Sequence, residues 1–350
     1  MEDFGGFAVT LPAAMDLGNY SAKVLTMSSR NPRSDFELSA VMPLTHYEYS
    51  DLIDDPSINH DQYALVNGEP YCIGQAAVEK RRGQAVEGTN RWRPDYIGVL
   101  AAVMLRRLFD TNGKVILMVT YPPGHHRQRE RLFNALRGRW HVEMYGEGRT
   151  YDVVAIRSCT EASGGLWNLT LDWQGRVTDE GILHADPLII DIGGGTTDVQ
   201  GFGPSGELLP EYRASFAMGI NHVLRDFQTE LHASGFPDTL RDKHLRDALR
   251  TGKWGPTNED VSREARRVLD PYIAEVERTA QEASRGLINW SPIILTGGGA
   301  AVIRDHLAPR LGNGERVKLA ALPGEEDDIH LANVRGAAKL FRWWKLNGVI

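Results

Sequence analysis

The chain has 350 residues, 42% hydrophobic and 24% charged, with a formal net charge of −7. That length exceeds what one hydrophobic core usually organises and points to two domains, while the acidic balance argues against general affinity for a nucleic-acid backbone. No apolar run approaches the roughly 18 residues that cross a bilayer, and the opening "MEDFGGFAVTLPAAMDLG" lacks the basic-then-apolar pattern of a secretory signal, so no membrane association and a cytoplasmic location are expected.

Taken in chain order, "FAVTLPAAMDLGNYSAKVL" reads as strand, turn, strand, with Gly18 and Asn19 in the turn. The acidic, proline-containing stretch from Tyr49 to Gln62 reads as an exposed loop. "YALVNGEPYCIG" carries an Asn67-Gly68 hairpin turn, because both residues tolerate positive φ, and the region around 30–92 is expected to be a small β-rich insertion. Ile97, Leu100, Ala101, Met104, Leu105 and Leu108 recur at helical spacing and form the inner stripe of a helix that covers a sheet.

"KVILMVTYPPG" is a buried strand stopped by prolines, and "HHRQRERLFNALRG" an amphipathic helix closed by Gly138. The pair His125-His126 has no cysteine or carboxylate pattern beside it, so no metal site is expected there. A strand ending near Arg157 is followed by a helix led by Glu161. Leu188 to Asp191 is a strand running into Gly193-Gly194-Gly195, the segment from Asp226 to Glu282 is charged and mostly helical, and "PIILTGGGAAVIRDHL" is again strand, glycines, helix. Strands alternating with helices predict an α/β fold. Cys72 and Cys159 stand too far apart in sequence to suggest a disulfide scaffold or zinc site, and read as small core residues.

The chemistry gathers in three turns. Gly193 to Gly195 bring backbone N–H groups close to a ligand because no Cβ intervenes, and such donors suit phosphate; Thr196 and Thr197 add hydroxyls. A lone glycine cluster would serve a tight hairpin equally well. Here three such turns follow apolar strands. Asp16-Leu17-Gly18 with Lys23 offers a carboxylate, backbone donors and an ammonium; Asp191 to Asp198 offers two carboxylates; Gly297-Gly298-Gly299 is uncharged and leads into a helix. Phosphates, a divalent cation and a flat base would need these kinds of surface. Asp16 and Asp191 suit the hydration shell of magnesium, which keeps several waters. No P-loop pattern GxxxxGK[ST] is present, so a different nucleotide fold is implied.

The ordered set Asp16-x-Gly18-x4-Lys23, Glu161 before a small-residue helix, "DIGGGTTDV", "ILTGGGA" and "ANVRGAAKL" resembles the actin, sugar-kinase and heat-shock chaperone ATPase superfamily over nearly the whole chain. Within it, "EPYCIGQAA", "RPDYIGVLAAVMLRRL" and "ANVRGAAKL" are similar to actin-like proteins of the ParM or StbA plasmid-segregation type, including archaeal relatives. The strand-turn where such proteins often carry Gly-Leu-Pro reads "TYPPG" here.

The resemblance implies a two-lobed, duplicated ribonuclease H-like α/β fold with nucleotide in the interdomain cleft. It implies domain I over 1–184, completed by a C-terminal helix over 331–350, and domain II over 185–330 with a helical insertion about 220–290. It assigns Glu161 to orienting the attacking water and Asp191 to the water and the metal, with Asp16 on the opposite phosphate turn. It assigns phosphate and base contacts to Gly18, Asn19, Lys23, Gly193, Gly194, Gly195, Thr196, Thr197, Gly297, Gly298 and Gly299. Asp198 would hold its loop, and Gly164 and Gly336 would mark the crossing of two connecting helices.

The implied activity is hydrolysis of ATP, or GTP, with Mg2+, coupled to a head-to-tail filament. Plasmid or other DNA segregation through a DNA-binding adaptor is the implied task. A small-molecule kinase and a non-polymerising nucleotide switch on the same fold stay open. Lys253-Trp254 and the basic face of "SREARRVL" read as a solvated helix surface, and Trp343-Trp344 as packing.

Overall fold

The computed structural model describes residues 9–350 apart from 19, 28–31, 56, 81–93, 125, 238–241, 256, 313–314, 323 and 325. The chain divides into two compact units, one of Met1–Thr160, Trp173–Gly175 and Ala337–Ile350, the other of Glu161–Asp172 and Arg176–Gly336.

The first unit comprises β1 (Thr10–Leu17), β2 (Ser21–Thr26), β3 (Ser34–Leu38), β4 (Val41–Pro43), α1 (His46–Ile53), β5 (Tyr63–Val66), β6 (Glu69–Ile73), α2 (Gly74–Lys80), α3 (Val99–Leu108), β7 (Gly113–Tyr121), α4 (His126–Leu136), β8 (Gly138–Met144) and β9 (Glu147–Thr160). Its nine-stranded sheet runs β3-β2-β1-β7-β9-β8-β5-β6-β4. The centre is parallel, β1 to β7 to β9, and the flanks are antiparallel. Apolar runs such as "KVILMVTY" suit the centre because strands covered on both faces need no polar alternation.

One expectation changes here. The stretch Tyr49 to Gln62 is partly helical: Thr45 and Glu48 form a reciprocal capping box that starts α1, a signal the acidic and proline-containing composition hid. The β-rich insertion expected around 30–92 is continuous with the main sheet, β3 extending one end and β5, β6 and β4 the other; residues 30–31 and 81–92 of that stretch lie outside the described ones. The hairpin between β5 and β6 turns on Asn67 and Gly68, both at positive φ. Helix α3 lies against β2, β3, β5, β8 and β9. Its residues from Val99 to Arg106 are all buried, so the predicted stripe is a fully enclosed helix. His125 falls outside the described residues.

The second unit comprises α5 (Glu161–Thr170), α6 (Glu180–Leu183), β10 (Leu188–Ile192), β11 (Thr197–Phe202), β12 (Leu208–Phe216), α7 (Ile220–Ala233), α8 (Asp242–Thr251), β13 (Lys253–Trp254), β14 (Glu259–Asp260), α9 (Ser262–Ser284), β15 (Ile293–Thr296), α10 (Ala300–Leu311) and β16 (Val317–Leu319). Helix α11 (Ala332–Leu346) is divided at Gly336, its first residues in this unit and the rest in the other. The sheet runs β12-β11-β10-β15-β16, antiparallel across β12, β11 and β10 and parallel across β10, β15 and β16. The first unit contains the same plan, since β3-β2-β1 is an antiparallel meander continued by parallel β7 and β9. One topology is therefore built twice, from sequences with little in common beyond the strand-Asp-x-Gly turn.

The contact division falls after Thr160, earlier than the expected 184–185, because α5 packs on β10 and β15. Its buried side includes Ala162 and Leu166, which join Ile189, Ile190, Leu295 and Ile303 in one core. Lys253-Trp254 belongs to a two-stranded ribbon, with Trp254 edge-on to Phe236 at 5.4 Å.

Candidate functional site

In the first unit Asp16 stands one residue before the end of β1, directly opposite Lys23 on β2 and beside Thr120 on β7. Its carboxylate accepts from Lys23 Nζ at 3.0 Å and from Thr120 Oγ1 at 2.9 Å. Asp16 is buried, so this pair neutralises a charge that would be costly alone. A Cβ on Gly18 would sit 2.8 Å from the Ser21 carbonyl oxygen, so glycine there is required by the turn itself. Asn19 lies outside the described residues.

In the second unit Asp191 occupies the corresponding place on β10, opposite Asp198 on β11 and beside Thr296 on β15. Both aspartates are buried. Asp198 accepts from Thr196 Oγ1 at 3.1 Å, which holds the turn. The Asp191 carboxylate accepts from Asn333 Nδ2 at 2.7 Å, and Asn333 Oδ1 in turn accepts from Thr296 Oγ1 at 2.9 Å.

The turn between β10 and β11 closes with Gly193 N–H on the Thr196 carbonyl at 3.0 Å. The carbonyls of Gly193 and Gly194 accept from Ile220 and Asn221 at the start of α7, at 3.0 and 3.1 Å. A Cβ on Gly219 would press into the Gly193 and Gly194 backbone, so that glycine admits the helix to the turn. The N–H groups of Gly194 and Gly195 themselves find no backbone acceptor among the described residues. A Cβ on Gly195 would meet nothing within 4 Å.

The third turn is fitted to the second. Gly297, at φ 85°, gives way to the Asp191 carboxylate, which a Cβ there would strike, and Gly299 N–H donates to the Ile192 carbonyl at 2.9 Å. Asp191, the Gly193–Thr196 turn, Gly297–Gly299 and Asn333 therefore lie together in one unit. Glu161, half-buried, opens α5 in the same unit.

No protein-family model and no curated protein matches the sequence. Solved structures do. The apo psk41 ParM protein is 18% identical, with 97% of this chain and 99% of that one covered at a TM-score of 0.69. ParM of Bacillus thuringiensis, solved with ATP, is 15% identical over 97% of this chain and 100% of its own at a TM-score of 0.71. Alp12, solved as a filament, is 14% identical over 95% and 98% at 0.63. The fold is actin-like.

Within this actin-like fold the predicted residues divide. Thr197 is fully buried, and its hydroxyl donates to the Met218 carbonyl at 2.8 Å and pairs with the Tyr272 hydroxyl at 2.7 Å. Its hydroxyl is committed within the core, unlike the expectation that both threonines bring a hydroxyl to phosphate. Thr196 and Gly298 are half-buried. Lys23 is already paired with Asp16.

Sequence reasoning missed Asn333, Thr296, Tyr272 and Gly219. Tyr272 comes from α9, and burial pushes its phenol well above the usual range, with the nearby Asp191 carboxylate adding to the shift. It remains a neutral hydrogen-bonding group behind the turn. The cavity of about 780 Å³ along α9, lined by Asp260, Arg263, Arg267 and Asp270 among others, contains none of the predicted residues. Among the described residues no helix is long and apolar enough to cross a membrane.

Proposed function

We propose that the chain binds and hydrolyses a nucleoside triphosphate, ATP or GTP, and assembles head to tail into filaments. The observation that carries this reading is Gly195. The hairpin itself gives no packing reason for a glycine there, since a Cβ would meet open space, and its N–H is left as a donor. Close approach of a phosphate explains both features. The ATP-bound ParM and the Alp12 filament support the same reading by likeness of fold.

On this reading Gly194 and Gly195 donate to phosphate oxygens, the β1–β2 turn with Lys23 serves phosphate as well, and Gly298 faces the base. Glu161 orients the water that attacks the terminal phosphorus, because phosphoryl transfer depends on positioning and charge stabilisation more than on covalent chemistry. The donor set fits magnesium: Asp191 and Asp198 stand opposite one another in register, and one or two carboxylates with several waters are what that ion accepts. Asp191 would hold its water, and the bound ion would offset phosphate charge. The acidic chain would reach DNA through an adaptor, in plasmid or other DNA segregation, as its net charge of −7 disfavours direct contact.

The test is phosphate release with light scattering and pelleting after addition of ATP or GTP with Mg2+. Nucleotide-dependent polymer and phosphate are expected, and failure to bind both nucleotides overturns the reading. Glu161→Ala is expected to keep nucleotide binding and lose phosphate release, and unchanged release would remove Glu161 from its role. Gly195→Ala is expected to weaken nucleotide binding at least tenfold with stability within about 0.5 kcal/mol of wild type. Unaltered affinity in that variant would place the phosphates elsewhere.

A further inference from the structure

The two copies of the sheet plan differ at one point. In the first unit the threonine on the neighbouring parallel strand, Thr120, donates straight to Asp16 at 2.9 Å. In the second, Thr296 holds the same register position beside Asp191, yet its hydroxyl donates to Asn333, and the Asn333 amide donates to Asp191. A side chain from α11 is interposed where the other copy has a direct bond. All three residues are buried, Thr296 completely, so an amide turned the wrong way would leave polar groups without partners at a cost of about 1–3 kcal/mol each. The threonine fixes which end of the amide faces the carboxylate.

Asn333 is itself held in place by a close crossing of helices. A Cβ on Gly164 of α5 would strike the Asn333 backbone, and a Cβ on Gly336, one turn further along α11, would strike the Gly164 carbonyl. Helix α5 begins at Glu161, one turn before Gly164. The same crossing thus places the amide that holds Asp191 and the helix that carries Glu161.

We infer that Asn333 is a positioning residue: oriented by Thr296 and by the crossing at Gly164 and Gly336, it fixes the Asp191 carboxylate for the magnesium-bound nucleotide. This rests on the nucleotide reading above. Removal of a hydrogen-bond partner of a metal-site ligand typically costs about 10–100-fold in metal affinity or activity. That range is expected for the loss of the amide donor.

The test compares Asn333→Asp, Asn333→Ala and Thr296→Val with wild type in phosphate release, in affinity for a fluorescent ATP analogue with and without Mg2+, and in thermal melting. Asn333→Ala removes the donor without adding charge, whereas Asn333→Asp keeps the shape but sets a second carboxyl against the buried Asp191 carboxylate. A positioning role predicts that Asn333→Ala loses at least tenfold in kcat and most of the magnesium-dependent gain in affinity, while magnesium-free affinity stays within about threefold of wild type. Asn333→Asp should lose at least as much. Thr296→Val, a milder change of similar size, should lose about threefold in kcat and keep its fold. If Asn333 only packs, Asn333→Ala lowers the melting temperature and leaves kcat and magnesium dependence as in wild type, which overturns the inference. Should Asn333→Ala fail to fold, an unchanged kcat in Thr296→Val overturns it. Wild type that binds neither nucleotide refutes the nucleotide reading, and the inference falls with it.

Discussion

Gly336→Ala puts the helix crossing to a direct test. The added methyl would strike the Gly164 carbonyl oxygen and lie 2.6 Å from the Gly164 carbonyl carbon and 2.7 Å from the Asn168 nitrogen. All three atoms are backbone, so no rotamer change relieves the contact and the helices must move apart. Overpacking of this kind costs about 1–3 kcal/mol, and contact with backbone places the site at the upper end. Alanine is favoured over glycine in a helix by about 1 kcal/mol, which offsets part of the loss. The net expectation is a destabilisation of about 1–2 kcal/mol, or about 2–8 °C in melting temperature for a unit of this size. Urea and thermal denaturation measure it, with Gly195→Ala as the control whose methyl enters open space. A Gly336→Ala protein as stable as wild type, or more so, would mean that the helices have room and that helix propensity alone decides.

Three further outcomes follow from buried or capping groups. Lys23→Met strands the buried Asp16 carboxylate, and should cost about 3 kcal/mol in urea denaturation, most of it recovered when Asp16→Asn is added; full stability of the single variant would argue against a tight pair. The Tyr151 hydroxyl donates to the Phe109 carbonyl at 2.6 Å, and burial pushes its pKa from 10.0 up to about 12. The neutral phenol is thus favoured in the folded chain, so stability should be intact below pH 10 and fall as pH rises toward about 12. Tyr151→Phe should flatten that dependence in urea midpoints taken across the range. Thr45→Ala removes the reciprocal cap of α1 and should cost about 1 kcal/mol there, seen as faster hydrogen exchange in 46–53.

The strand-glycine turns were legible because their signals are local: an apolar run, an aspartate, then residues without side chains. The helical nature of the Asp226 to Glu282 segment was legible from periodicity alone. Sheet order was not, because nothing local tells β5 to pair with β8 and so carry β6 and β4 onto the main sheet. The capping box at Thr45 was present in the sequence but outweighed by the acidic, proline-containing stretch after it. Thr197 illustrates another limit. Two adjacent threonines look alike in sequence, yet the strand beginning at Thr197 commits its hydroxyl to Met218 and Tyr272. The bond from Asn333 to Asp191 joins residues 142 apart, and only the fold brings an asparagine in a helix to an aspartate in a strand.

The duplicated sheets place an aspartate at the same station but set different residues across from it, lysine opposite Asp16 and aspartate opposite Asp191. One hairpin therefore leaves the ribosome with its counter-charge built in, while the other faces a second acid in register. The same strand plan thus carries an oppositely charged pair in one copy and two buried acids in the other, so a single duplicated scaffold presents two electrostatic characters from one shared aspartate station.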